Sequence, residues 1–246
     1  MKPSQQTWLE SALGQYVLTQ EQPLFDAAVS DVFGFNALQL GMSQIDFLCN
    51  SRIPFALRTG EVDGDLRCDF EQLPFSANTV DLLVMPHVLD FSPYPQQALR
   101  EAERVLVPEG HVVITGFNPI SSWGLRRLLS KRCASSNKLW RSHFFSHLRI
   151  KDWLHLLGFE IVSTHMACHQ LPFQSHTWLQ RFEFLDKLGS RCWPMFGAVY
   201  CIVAKKRVVG MRVIKPHWKS AKIRPQFAAR PSQKEEALHQ NLGKTE

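Results

Sequence analysis

No two of the six cysteines stand in a C-x-x-C pair. Cys49, Cys68, Cys133, Cys168, Cys192 and Cys201 are scattered, which argues against both a zinc knuckle and a disulfide framework. They read as reduced thiols, mostly packed inside the fold. Long apolar runs are missing too: nothing approaches the roughly 18 to 20 residues that span a bilayer. The opening MKPSQQTW also lacks the apolar centre of a secretory signal. The expectation is a soluble, cytoplasmic protein with no membrane partner. No Ser-His-Asp order with a nucleophile elbow occurs, and no phosphate-binding P-loop. His165, Cys168 and His169 have ligand chemistry but no fourth ligand at suitable spacing, so no metal is expected.

The chain has 246 residues, 45% of them hydrophobic, enough for a real core and for one domain with additions. Its net charge of +6 is unevenly placed. Residues 205–246 hold 11 Lys and Arg against 3 acids, whereas residues 1–204 hold 17 against 19. Basic character therefore belongs to the tail, 207–246, whose prolines and polar residues predict disorder. That tail suits a nucleic acid or another anionic partner.

Helical spacing of apolar residues from Trp8 to Phe33 predicts a helical cover over residues 1–35, divided into two short helices by Pro23. Asn36 to Leu40 reads as a short buried strand that Gly41 turns, and IPFALRT at 53–59 as a second strand. VDLLVM at 80–85 is apolar enough for burial on both faces, as in a parallel sheet. Residues 94–106 place Ala98, Leu99, Ala102, Val105 and Leu106 on one helical face, and HVVITGF at 111–117 is the next buried strand. Strand, helix, strand with short connections is a right-handed crossover, so the predicted fold is α/β, Rossmann-like and doubly wound. A helix ending at Gly158, a strand at 159–164, a helix at 178–189 and a strand at 197–206 follow, the last two strands closing an antiparallel edge. Residues 36–206 make up this domain. Ligands in such sheets gather at the carboxyl ends of the strands, near GMSQ, MPHVLDF and NPISSWG.

The run DFEQLPFSANTVDLLVMPHVLDFSPYPQQALREAERVLVPEGHVVITGFNP resembles the class I S-adenosylmethionine-dependent methyltransferases of type 11. The resemblance rests on linked pieces in the family's order: Asp69 with LPF at 73–75, VDLLVM, HVL at 87–89, Arg104-Val105-Leu106, PEG at 108–110 and HVVITG. With GFNPISSWGLRR added, the whole chain also resembles a group of bacterial methyltransferase-like proteins, a likeness that names no substrate. S-adenosylmethionine is the cofactor the resemblance implies, with an unidentified methyl acceptor. It also implies that Asp69 accepts from the adenine amine while Phe70 packs on the ring, and that Met85, Pro86 and His87 line the floor near the methionine part. Asp69 as a mere turn cap is the alternative.

The family's first loop has the form acid, apolar, GxGxG. Here the letters are Gln39, Leu40, Gly41, Met42, Ser43, Gln44, Ile45, so only the first glycine remains. Glycines serve there because the backbone must approach the ligand at angles a side chain forbids, and Ile45 is not an obvious substitute. Gln39 offers a hydrogen bond to the cofactor's amino-acid end without the family's charge. Only 28 positions separate Gly41 from Asp69. Helices of three turns take about 11 residues each, so at least one family helix must be absent or cut to a single turn. The ribose-holding acid has no clear counterpart among Glu61, Asp63 and Asp65.

His87 is the only candidate general base at the strand ends, with a packed histidine as the alternative. Phe117, Asn118 and Trp123 stand where a substrate would approach; Asn118-Pro119 is misplaced for the NPP(Y/F) signature and fits a turn before a helix. Arg126, Arg127, Lys131, Arg132, Lys138 and Arg141, with Trp140 and Phe144, form a basic cluster that suits an anionic partner or a solvated face. Two functions follow: methyl transfer, in which the cofactor carries the chemistry, or a non-catalytic descendant of the fold that binds protein or RNA.

Overall fold

The computed structural model describes residues 11–60, 64–132, 143–172, 186, 191 and 193–207. Apart from Asp186, the expected helix at 178–189 lies outside the described residues, as do the acids Glu61 and Asp63 and the tail beyond Arg207. Strands β1 (Asn36–Leu40), β2 (Phe55–Gly60), β3 (Leu66–Arg67), β4 (Val80–Pro86), β5 (Leu106–Phe117), β6 (Phe159–Ala167) and β7 (Val199–Lys206) form a seven-stranded sheet in the order β3-β2-β1-β4-β5-β7-β6. Pairs among β1 to β5 are parallel, and β7 runs antiparallel to both β5 and β6. The doubly wound sheet with an antiparallel edge is thus as the sequence predicts.

Alternation along the strands builds two cores. Leu82 and Val84 face one side with Phe25, Val113, Phe117, Trp123 and Val199. Leu83 and Met85 face the other with Ala98, Leu99, Val105, Ile114 and Tyr200. Period two along a strand makes this division unavoidable once both faces are covered.

The first face is covered by α1 (Ala12–Ser30), capped by the Ser11 side chain, which accepts from Gly14 N. Pro23 does not divide this helix, contrary to the expectation of two short ones. A proline inside a helix forfeits one backbone bond, and Pro23 is exposed, where water can satisfy the freed carbonyl. Leu13, Val17, Glu21, Phe25 and Val29, each four residues apart, form one buried stripe that holds both halves against the sheet.

The opposite face carries α3 (Pro95–Val105) and α5 (His147–Leu156), while α2 (Val88–Phe91) and α4 (Ser122–Arg132) follow the ends of β4 and β5. Arg104 ties α3 to the LPF segment. Its guanidinium donates to the carbonyls of Leu73 and Phe75 and pairs with Glu101, whose Oε2 accepts from Leu73 N. This bonding is a physical reason for LPF and Arg104 to occur together. At the start of β1, Asp81 Oδ2 accepts from the N–H groups of Phe35 and Asn36. A Cβ on Gly34 would lie 2.3 Å from Asp81 Cβ. Gly34→Ala is therefore expected to lower stability by about 1–3 kcal/mol in urea unfolding.

The connections β1–β2 and β2–β3 contain no helix among the described residues, which accounts for the short interval between Gly41 and Asp69.

Candidate active site

The carboxyl end of β1 passes into a loop that Gly41 opens at φ 77°. Gly41 N–H donates to Thr59 O of β2, at 2.8 Å. A Cβ on Gly41 would stand 3.4 Å from Val88 Cγ2 and 3.6 Å from the tip of the Phe70 ring. The bare glycine thus forms a cradle between the β4–α2 turn and the segment after β3. The next left-handed angle falls on Met42, at φ 47°, a position that favours glycine. Ile45 is absent from the positive-φ residues and packs on the α1-side core, whereas Phe70 and Val88 belong to the core of the other face. The β-branched residue is accommodated because it turns away from the cradle.

Gln39 does not face outward. Its amide nitrogen donates to the carbonyls of Gly41, Met42 and Ile45, and its oxygen accepts from Phe47 N–H. It is fully buried and holds residues 41–47 in a closed coil. An amide supplies donors and an acceptor at one point, which a carboxylate cannot. This corrects the expectation of a bond from Gln39 to the cofactor's amino-acid end.

Asp69 is exposed and Phe70 half-buried beside Gly41. Asp69 Oδ1 accepts from Glu71 N–H at 3.0 Å, so the residue caps its turn while remaining open to solvent. Met85 is fully buried among the apolar residues of the α3-side core and supports this region from beneath. Asp65, the described candidate for ribose, is engaged with Arg58 through the backbone and an ion pair.

His87 caps α2 in a left-handed conformation, φ 52°, and is wholly buried. Nε2 lies 2.7 Å from Glu21 Oε1 of α1, and Nδ1 lies 2.8 Å from Asp90 Oδ2. Burial alone would lower the pKa of this imidazole; the two carboxylates overcome it and raise the pKa to about 10. The raised pKa favours the imidazolium, in which both nitrogens donate. That geometry corrects the expectation of a general base, which needs a free nitrogen. Asp90 also accepts from Phe117 N–H, and burial raises its pKa against the pull of His87.

Phe117 stacks on His87 at 4.1 Å between ring centroids and on Phe144 at 5.0 Å. Trp123 lies at 6.1 Å from Phe117 and donates Nε1–H to Gln170 O. Asn118 donates to the carbonyls of Met195 and Gly197 and accepts from Ile120 N–H; Ser121 then caps α4 through Gly124 N–H. All three expected substrate residues are fully buried. In this conformation they join β5 to its neighbours, and the structure does not present them to an approaching molecule. Within the basic cluster, Arg127 lies 4.8 Å from the Phe144 ring, and burial lowers its pKa despite Asp90. Lys138, Trp140 and Arg141 lie outside the described residues. Glu21 and Asp90 escaped the sequence reading, although an acid in the middle of an apolar i, i+4 stripe is a signal that it has a buried partner.

Residues 48–114 match the family model described as a methyltransferase domain. The chain is 33% identical over 181 residues to the uncharacterized protein YafS of Escherichia coli K12, covering 72% of this chain and 71% of that protein. A shorter match, 40% over 52 residues, is to the mitochondrial 2-methoxy-6-polyprenyl-1,4-benzoquinol methylase of Caenorhabditis elegans, covering 21% of this chain and 18% of that protein. Among solved structures, an S-adenosylmethionine-dependent methyltransferase of Thermotoga maritima superposes with a TM-score of 0.61 at 17% identity, over 82% of this chain and 94% of its own. One from Archaeoglobus fulgidus gives 0.55 at 15%, over 82% and 97%. These structural likenesses concern the fold. The chain shares its family with YafS and carries a methyltransferase domain over residues 48–114; S-adenosylmethionine is the cofactor that the type 11 resemblance implies.

The residues at the strand ends fit that cofactor on one side. The Gly41 cradle and the exposed Asp69 beside Phe70 suit a nucleoside; Gln39 has been diverted to the loop.

Proposed function

We propose that the protein transfers the cofactor's methyl group to an acceptor that approaches the carboxyl ends of β1 and β4. Gly41, Asp69 and Phe70 hold the nucleoside, and Met85 supports the floor from within the core. The cofactor supplies an electrophilic methyl; the chain's task is to position it and exclude water. The carrying observation is the left-handed glycine at the end of β1, with Phe70 and Val88 at contact distance from where its Cβ would stand. His87 acts as a positioning residue: its two ion pairs fix the turn that carries Val88. The acceptor is assigned to no chemical class. Cys49, Cys68, Cys168 and Cys201 are unpaired, which supports a reducing, cytoplasmic setting. No described helix is long and apolar enough to cross a membrane.

Titration calorimetry with S-adenosylhomocysteine tests this reading. Wild-type protein is expected to bind in the micromolar range. Gly41→Val both strains a left-handed position and fills the cradle, so affinity should fall on the order of a hundredfold. Asp69→Asn removes a charge-assisted acceptor and should cost about tenfold. Equal affinity in all three proteins would contradict the placement.

The basic tail is assigned an anionic partner on charge alone. Any nucleic-acid binding should weaken steeply with salt and disappear when residues 208–246 are deleted. Salt-insensitive binding in filter assays would remove that assignment.

A further inference from the structure

A cleft of about 420 Å³ opens far from Gly41, between the start of α5 and the end of β6, lined by His147, Lys151, Thr164, His165, His169 and two methionines, Met166 and Met195. Its polar groups are unfinished. His147 Nδ1, Thr164 Oγ1 and His169 Nε2 are buried atoms with no hydrogen-bond partner. His147 as a residue is only 6% exposed. Leaving such groups unpaired costs about 1–3 kcal/mol each, so three around one cleft call for a common occupant.

The chemistry of the lining selects the occupant. A hydroxyl, three imidazoles and an ammonium can all donate, and no carboxylate is among the lining residues. His147 begins α5, so the cleft lies beside the positive end of that helix. No group of three or more His, Cys, Asp or Glu suited to a metal is formed among the described residues. A compact anion with several acceptor oxygens matches this donor-rich, acid-free lining.

We propose that this cleft binds a phosphoryl group, either as free phosphate or as part of a phosphomonoester. Lys151 supplies charge, while His147, Thr164 and His169 donate to the oxygens. Pairing across the sheet places Pro86, Thr115, Cys201 and His165 in one row. The site thus stands three strand spacings, about 14 Å, from the end of β4, at the same edge of the sheet. It is separate from the Gly41 cradle, and its test needs no cofactor.

Imidazole proton–nitrogen correlation spectra of the full chain, recorded while inorganic phosphate or glycerol 3-phosphate is added at constant ionic strength, provide the test. Saturable shifts of His147 and His169, with His111 unmoved, are expected. Tighter binding of glycerol 3-phosphate identifies an organic phosphate as the source; tighter binding of inorganic phosphate identifies the free anion. Thr164→Val and Lys151→Met should each weaken binding on the order of tenfold, read by calorimetry. Absence of saturation for both compounds, or the same shifts with chloride, overturns the proposal. Since the spectra are read on wild-type protein, a variant that fails to fold does not decide the outcome.

Discussion

His87→Ala is expected to lower the unfolding free energy by about 3–5 kcal/mol, the cost of removing one partner from a buried charge cluster. For a chain of this size that is a fall in Tm of roughly 6–20 °C. Glu21 and Asp90 would face each other across the vacated site, and each already has one buried oxygen without a partner. A pH signature separates this from simple loss of packing. The His87 pKa is raised from 6.5 to about 10 in the folded protein. Its contribution is therefore complete below the unfolded value and is lost as pH rises toward the folded one. Between pH 6.5 and 8.5 the unfolded chain has released this proton and the folded chain keeps it. Wild-type stability should fall by up to about 1.4 kcal/mol per pH unit there. Burial raises the Cys168, Cys201 and Tyr200 pKa values, but those groups act only above their unfolded values of 9 to 10. His87→Gln keeps bulk and a hydrogen bond but should flatten the slope. An unchanged slope in denaturant unfolding across that window would refute the imidazolium assignment.

Trp123→Ala should be comparably severe, at about 3–5 kcal/mol. The ring is fully buried, stacks on Phe117, and its Nε1–H donates to Gln170 O. Truncation leaves a cavity beside the His87–Phe117 stack and frees a carbonyl. Trp123→Phe should keep most of the packing and lose about 1–1.5 kcal/mol for the hydrogen bond. Trp123 packs in the α1-side core whereas Phe70 and Val88 belong to the other, so S-adenosylhomocysteine affinity of the folded Trp123→Phe protein should equal that of wild type. A tenfold loss of affinity with unchanged stability would instead place Trp123 in the ligand site.

The sheet was legible in the sequence because its central strands are apolar on both faces. VDLLVM and HVVITGF announce burial, and the stripe Ala98-Leu99-Ala102-Val105 announces the helix between them. The missing helix before Asp69 was legible from spacing alone. Side-chain direction at the site was not. Gln39 stands where the family carries an acid, but nothing in the letters shows that three carbonyls and an amide take up its polar atoms. Phe117, Asn118 and Trp123 follow a strand end, and position along a strand does not distinguish a lining residue from one sealed by α1 and the β6–β7 edge. Pro23 misled because local propensity was outweighed by a buried stripe on both sides of it.

The most direct measurement is a crystal structure of the protein soaked or grown with S-adenosylhomocysteine. Density for the nucleoside over Gly41, with its adenine beside Asp69 and Phe70, is the predicted result. Density elsewhere on the sheet, or the Phe70 ring still closed on Gly41 at saturating ligand with no nucleoside bound, would contradict it.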